Sequence, residues 1–151
     1  MLLFLVACNA GPAGPDLTPF ACTLTVQAEG VDLSGRFTYR GPENAQWELE
    51  RPAALRGLCF HLHGAQYTAR LGEQSPVTGL PASAPFAAVT RALALLAENP
   101  APAPDAQNAY CGAGETGRFI LRVDPATGRP AGLEWESGLA AAFVHVRPLA
   151  D

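Results

Sequence analysis

The sequence predicts an α+β domain, a strongly curled, mostly antiparallel sheet of about eight strands forming a partial barrel around one central helix. Three observations predict it. Apolar residues recur at every second position through most of the chain after Phe20. The period changes to that of a helix only once, from Phe86 to Leu96. Strands and helices do not alternate, which argues against a parallel α/β fold. The 151 residues make one domain by size, and no internal repeat divides them. With 48% hydrophobic and 16% charged residues, the chain is neither a charged disordered tail nor a coiled coil. Ten Arg, no Lys and a net charge of −4 leave no basic footprint for nucleic acid.

Residues 1–7, MLLFLVA, form an apolar run far shorter than the roughly 20 residues a membrane-spanning helix needs. Their length suits the end of a signal-peptide apolar region. Residues 8–19 add Cys8 and a Gly/Pro-rich stretch without periodicity, Asn9-Ala10-Gly11-Pro12-Ala13-Gly14-Pro15-Asp16, expected to be an extended tether. Residues 20–151 are then the single β-rich domain. Leu5-Val6-Ala7-Cys8 resembles the lipobox of bacterial lipoproteins, in which a small residue precedes the Cys whose thiol is acylated. The resemblance implies lipid attachment at Cys8 and an extracytoplasmic domain held at a membrane, since two or more acyl chains give the stable anchoring that one does not. No Lys or Arg precedes the apolar run, so an upstream start or a clipped chain is expected.

Phe20, Cys22, Leu24 and Val26 alternate with Ala21, Thr23, Thr25 and Gln27, the pattern of a half-buried strand. Glu29-Gly30 turns the chain into a second strand carrying Val31, Leu33, Phe37 and Tyr39, with Gly35 a candidate bulge. After Gly41-Pro42, Trp47 and Leu49 face inward and Gln46, Glu48 and Glu50 outward. Leu58, Phe60 and Leu62 make the next apolar face, and a turn at His63-Gly64 leads to Tyr67, Ala69 and Leu71. Residues 72–81 read as a loop.

Phe86, Val89, Leu93 and Leu96 then mark one face of a helix, with Ser83 as its N-cap, Pro85 in the first turn and Asn99-Pro100 as its stop. The Ala/Pro run to Pro104 reads as a stiff, exposed linker. Phe119, Leu121 and Val123 resume the strands. Asp124-Pro125-Ala126-Thr127-Gly128 is a tight turn into Leu133 and Trp135. Ser137-Gly138 turns into residues 139–147, whose facing is ambiguous because both parities are apolar.

Eight strands at a spacing of about 4.8 Å make a flat sheet about 38 Å wide. A helix of about 14 residues is only about 21 Å long and about 10 Å thick. Such a helix cannot cover that sheet unless the sheet curls round it. Any concave surface left uncovered is an apolar pocket or an association surface.

This arrangement of antiparallel strands, a central helix and the late turn Asp124-Pro125-Ala126-Thr127-Gly128-Arg129-Pro130 resembles the LolA/LppX-type half-barrel family over residues 20–147. That family includes periplasmic lipoprotein carriers and surface lipoproteins that hold acyl chains in an incomplete barrel. The resemblance implies a membrane-anchored protein that binds a lipid or other apolar ligand and is not an enzyme. The chain is shorter than the family pattern and lacks a helix before the first strand, and no ligand-contacting residue is carried over.

Other motifs point to chemistry less well. Gly112-Ala113-Gly114-Glu115-Thr116-Gly117 fits G-x-G-x-x-G, but a strand follows where a phosphate site needs a helix N-terminus, so it reads as a hairpin loop. Cys59, His61 and His63 share one strand face and are the candidate metal ligands, although no further ligand lies at a usual spacing. With Cys8 lipidated, Cys22, Cys59 and Cys111 remain, which allows at most one disulfide. Cys22 reads as a small buried hydrophobe, and a Cys59–Cys111 bridge stays open in an oxidising compartment. There is no G-x-S-x-G elbow, and Glu48 and Glu50 read as solvated strand charges. No cofactor is expected. The alternatives to a ligand-binding lipoprotein are an extracytoplasmic protein-interaction or sensor module and a metal-binding module built on Cys59, His61 and His63.

Overall fold

The computed structural model describes residues 14–81, 84–104 and 106–149. Its strands are β1 (Phe20–Ala28), β2 (Val31–Gly41), β3 (Asn44–Arg51), β4 (Leu58–His63), β5 (Gln66–Leu71) and β6 (Val77–Thr78), then β7 (Ala101–Pro102), β8 (Ala109–Gly114), β9 (Gly117–Val123), β10 (Pro130–Trp135) and β11 (Ala140–Pro148). The helix α1 (Pro85–Glu98) falls between β6 and β7. All the strands belong to one open sheet in the order β6-β5-β4-β3-β2-β1-β11-β10-β9-β8-β7. Neighbouring strands pair antiparallel throughout. Two meanders run outward from the centre, where β11 lies beside β1, and α1 is the link between them.

Local chemistry fixes the register. Ala28 pairs with Val31, leaving a two-residue loop in which Glu29 and Gly30 both have positive φ, at 50° and 80°. A turn with two left-handed residues has the twist that a hairpin needs. Gly35 does sit at a bulge, where Ser34 pairs with Arg51 but Gly35 pairs with Leu49. At the later turn, the Gly128 amide donates to the Asp124 carbonyl at 2.7 Å, and the Ala126 amide to Asp124 Oδ1, also at 2.7 Å. A further irregularity falls between Ala21 and Thr23, which pair with Arg147 and Val144. His145, opposite it, has a φ of 56°. This kink explains the ambiguous facing of β11, in which Ala141 and Phe143 are buried and residues 144 and 145 are exposed.

The helix acts as a plug. Eight of its 14 residues are buried: Phe86, Ala87, Ala88, Val89, Thr90, Ala92, Leu93 and Leu96. The Phe86 ring lies 6.4 Å from Phe37 on β2, 5.6 Å from Phe60 on β4 and 5.9 Å from Tyr67 on β5. At the other end of the helix, Leu95 faces Gly114 on β8. From β5 to β8 is eight strand spacings, about 38 Å if flat. A helix about 21 Å long touches both only because the sheet curls. Trp47, Tyr39, Phe20, Phe37 and Leu24 are wholly buried beneath it, and Trp47 Nε1 donates to the Leu24 carbonyl at 3.3 Å.

Four expectations need correction. Among the described residues the sheet has eleven strands rather than about eight. Two of the additional strands are only two residues long, and both are edges. Residues 72–81 contain β6, and the supposed linker contributes β7 and the buried Ala103. Pro fits there because an edge strand spares an amide donor. Finally, Ala84 stands at the N-cap position of α1, with no side-chain cap, and Ser83, expected there, lies outside the described residues. Pro85 at the first helical position already lacks one of the amides that a cap would satisfy.

Candidate functional site

The registers define two ends of the sheet. The turns β1–β2, β8–β9 and β10–β11 share one end, and at this end the cover provided by α1 is incomplete. A pocket of about 280 Å³ opens there between the helix and the concave face. Ala88, Ala92 and Leu95 stand at helical spacing and supply one wall; Phe119 and Trp135 supply the other. Gly114 and Thr116 of the β8–β9 hairpin form its edge.

The hollow has a plain origin in the sequence. Ala88 and Ala92 present only a methyl group to the wall of the pocket, and at its edge Gly114, without a side chain, lets Leu95 pack directly on β8. A Cβ on Gly114 would stand 3.1 Å from Leu95 Cδ1. On the next strand pair, the Phe119 ring lies over Gly112 and 6.3 Å from the Trp135 ring. The glycines of the G-x-G-x-x-G stretch thus make room for side chains within a hairpin, as the strand reading expected.

A polar strap crosses the pocket rim. Arg91 donates through Nη1 to Glu115 Oε2 at 2.7 Å, and its guanidinium carbon lies 5.7 Å from the centre of the Tyr67 ring. Tyr67 and Thr90 hydroxyls are 2.7 Å apart, and Thr90 Oγ1 also donates back to the Phe86 carbonyl at 3.0 Å. Partial burial opposes the Arg91 charge, but its contacts with Tyr67 and Glu115 raise its pKa overall. The rim carries one base, Arg91, and two acids, Glu98 and Glu115. It opens onto a broader groove lined by Glu29, Pro85, Ser137 and Leu139, which shares Glu115 and Thr116 with the pocket. Trp135 is 5% exposed, and among the described residues no acceptor reaches its buried Nε1–H.

The residues singled out by sequence lie elsewhere. Cys8 is outside the described residues. Cys59, His61 and His63 follow one another along β4, Cys59 partly buried and both histidines exposed. They alternate with Leu58, Phe60 and Leu62, which face the core. Cys59 Sγ accepts from Gln46 Nε2 at 3.3 Å, and burial raises its pKa. Among the described residues, no three His, Cys, Asp or Glu side chains converge as a metal site. Cys22, Cys59 and Cys111 are all free thiols, with Cys59 on β4 and Cys111 on β8 in opposite halves of the sheet. Glu48 and Glu50 flank Arg36 at 3.2 and 3.7 Å. The outer face of the other half repeats the pattern, with Arg118–Glu136 at 3.9 Å and Arg122–Glu134 at 3.7 Å.

Sequence reasoning anticipated a concave pocket and put Phe119 and Trp135 on the apolar face of the sheet, but it assigned no residue to the pocket itself. The available signal was the pair Ala88 and Ala92 on the helix, set against the glycines of a strand with no bulky inward residue after Tyr110.

No family model matches the chain, and no curated protein matches it. Solved structures do share its fold. An uncharacterized conserved protein from Thermus thermophilus superposes with a TM-score of 0.56 at 16% identity, covering 89% of this chain and 81% of the other. A LolA superfamily protein from Nitrosomonas europaea superposes with a TM-score of 0.53 at 12% identity, covering 90% and 88%. The half-barrel resemblance expected from the sequence is therefore present at the level of fold.

Proposed function

We propose that the chain is a non-enzymatic, extracytoplasmic protein, anchored to a membrane through lipid on Cys8, that binds a lipid or other apolar ligand between α1 and the concave face. The observation that carries this reading is the open pocket walled by Ala88, Ala92, Leu95, Phe119 and Trp135. A domain of this size can close its core, so an unfilled apolar hollow at one end of the plug is what a binding site would look like. The likeness in fold to a LolA superfamily protein supports the same reading. No helix among the described residues is long and apolar enough to cross a membrane, and Cys8 with its tether would then supply the attachment.

A module that docks a protein on its sheet is favoured less. Its outer face is tiled with Arg–Glu pairs rather than an apolar patch. The metal reading lacks a converging ligand set among the described residues.

The test uses the full chain with Cys8→Ser and the neutral dye N-phenyl-1-naphthylamine, whose fluorescence rises in apolar surroundings. Saturable binding is expected, and Ala94→Phe, on the pocket wall, should weaken it at least tenfold. Absence of saturable binding, or binding indifferent to Ala94→Phe, rejects the pocket as a ligand site. Anchoring is tested separately, by the mass of the protein purified from its native host, where it is made from its own start: acylation on Cys8 is expected, and an unmodified Cys8 rejects it.

A further inference from the structure

The bulge in β11 re-aims two charged or basic side chains. Ala141 and Phe143 are buried, and unbroken alternation would turn residues 145 and 147 into the core as well. Thr23 and Ala21 are two residues apart on β1, but their partners Val144 and Arg147 are three apart on β11. The extra residue lets Val146 pack on the core and puts His145 and Arg147 on the outer face. His145 takes a φ of 56° to do so, a conformation that few residues other than glycine adopt. Backbone strain of this kind gathers where a side chain must be aimed.

Arg147 is aimed at a trough on the outer face. Ala21 and Thr23 of β1, Thr38 and Arg40 of β2, and His145 and Arg147 of β11 line it. Arg147 and Thr38 pair with Ala21 from either side, so a single methyl group floors the space between them. Arg40 follows two residues after Thr38 and shares its face. Arg147 is also close enough to Cys22 that its charge opposes the rise that burial gives that thiol.

The charges of the trough do not balance. Arg36 lines it too, but Glu48 and Glu50 hold that guanidinium at 3.2 and 3.7 Å. Arg40 and Arg147 have no carboxylate within ion-pair distance among the described residues. On the other half of the same face, Arg118 and Arg122 each have a glutamate. Three arginines against two glutamates make the trough locally positive in a chain whose net charge is −4.

We infer that this trough is a phosphate-binding site, in which Arg40 and Arg147 hold one anion over Ala21 and the hydroxyls of Thr23 and Thr38 donate to it. Two cations on one depression repel, and an anion between them turns that repulsion into attraction. Guanidinium forks match phosphate oxygens in pairs, and hydroxyl groups add further donors. A carboxylate offers two oxygens in one plane. A phosphate offers oxygens on several sides, which suits donors arriving from β1, β2 and β11 together. A soluble phosphate ester and a phospholipid headgroup both carry this chemistry. The site lies on the opposite face of the sheet from the concave pocket and does not depend on that pocket taking a ligand.

The experiment follows the backbone amide resonances of the full chain carrying Cys8→Ser as inorganic phosphate replaces chloride at constant ionic strength. Saturable shifts are expected at Thr23, Thr38, Arg40 and Arg147. Arg40→Gln together with Arg147→Gln should weaken binding by about tenfold or more, the worth of losing charge-assisted hydrogen bonds. Arg51→Gln together with Arg56→Gln removes the same charge from the opposite end of the sheet and should change binding less than about twofold. The amide spectrum itself reports that each variant is folded. Glycerol 3-phosphate and bicelles containing phosphatidylglycerol then separate the two sources. Tighter binding of the soluble ester assigns a free ligand, and tighter binding of the bicelles, through the same four residues, assigns a headgroup. Shifts that do not saturate, that appear equally at Arg51 and Arg56, or that survive the Arg40 and Arg147 replacements overturn the inference. Binding of N-phenyl-1-naphthylamine should be the same in every variant, so a failure of either site leaves the other standing.

Discussion

The backbone of Glu48 occupies the space that a side chain on Gly35 would need. A Cβ at Gly35 would meet the Glu48 carbonyl oxygen well inside van der Waals contact, with the Leu49 Cα only 2.7 Å away. The bulge between β2 and β3 brings the two strands this close, and backbone atoms cannot swing aside. Gly35→Ala should therefore destabilise the domain by at least ~2 kcal/mol. Urea unfolding of the two chains measures this, and a loss under ~0.5 kcal/mol would contradict the close approach.

Thr90 and Tyr67 form a buried pair whose two halves are not equivalent. Thr90 Oγ1 has the Phe86 carbonyl as a second partner, whereas the Tyr67 hydroxyl has Thr90 as its hydrogen-bonding partner. Tyr67→Phe removes one bond and should cost about 1 kcal/mol. Thr90→Val leaves the Tyr67 hydroxyl unpaired and should cost more, about 1–3 kcal/mol. The double variant should be more stable than the sum of the two losses predicts, because it strands no polar group. A thermodynamic cycle from denaturant curves reads all three values.

Glu115→Gln should barely alter stability, by about 0.5 kcal/mol or less, since both members of its pair with Arg91 are substantially exposed. Its effect belongs to ligand choice. Removing the carboxylate frees the Arg91 guanidinium, so decanoate should gain affinity severalfold while 1-decylglycerol is unchanged. Displacement titrations at two salt concentrations would show the gain fading as screening increases.

Alkaline pH should unfold the protein earlier than its surface charge suggests. Burial pushes the Cys22 thiol from 9.0 up to about 12 and the Tyr39 phenol from 10.0 up to about 12. Both groups stay neutral in the folded chain while their unfolded counterparts ionise. The stability they contribute is complete below about pH 9 and is lost as pH rises towards about 12, by about 1.4 kcal/mol per pH unit for each group titrating only when unfolded. Cys22→Ala should flatten this decline between about pH 9 and 10, where Tyr39 is not yet engaged. Equilibrium unfolding across that window provides the check, and parallel curves for the two chains would refute it.

The legible part of this fold was the part governed by periodicity. Phe20, Leu24 and Val26 on β1, Trp47 and Leu49 on β3, and the Phe86–Val89–Leu93–Leu96 face of α1 are all buried where their spacing placed them. Gly35 and the Glu29-Gly30 turn were legible for the same reason, since each position demands a backbone that few residues allow. What periodicity does not carry stayed hidden. The sequence of β8, AYCGAG, offers almost no alternation, and its pairing with β9 depends on a partner strand rather than on itself. The two-residue edges β6 and β7 are too short to hold a pattern. The pocket is less legible still, because it depends on how the small residues Ala88 and Ala92 meet the β8–β9 hairpin once helix and sheet are assembled.

The position of β11 beside β1 has a consequence for how the molecule is built during synthesis. The Leu149 amide bonds to the Pro19 carbonyl at 3.0 Å, and the two strands form the seam between the meanders. The seam joins β1 to β11, the first and last of the described strands, so the nascent chain carries two unjoined flaps of β-structure until β11 leaves the ribosome. Loss of that stretch would part the molecule down its midline instead of shaving a border. A rearranged gene that fuses residue 149 to residue 19 and opens the chain within residues 72–76 should still reach the same shape.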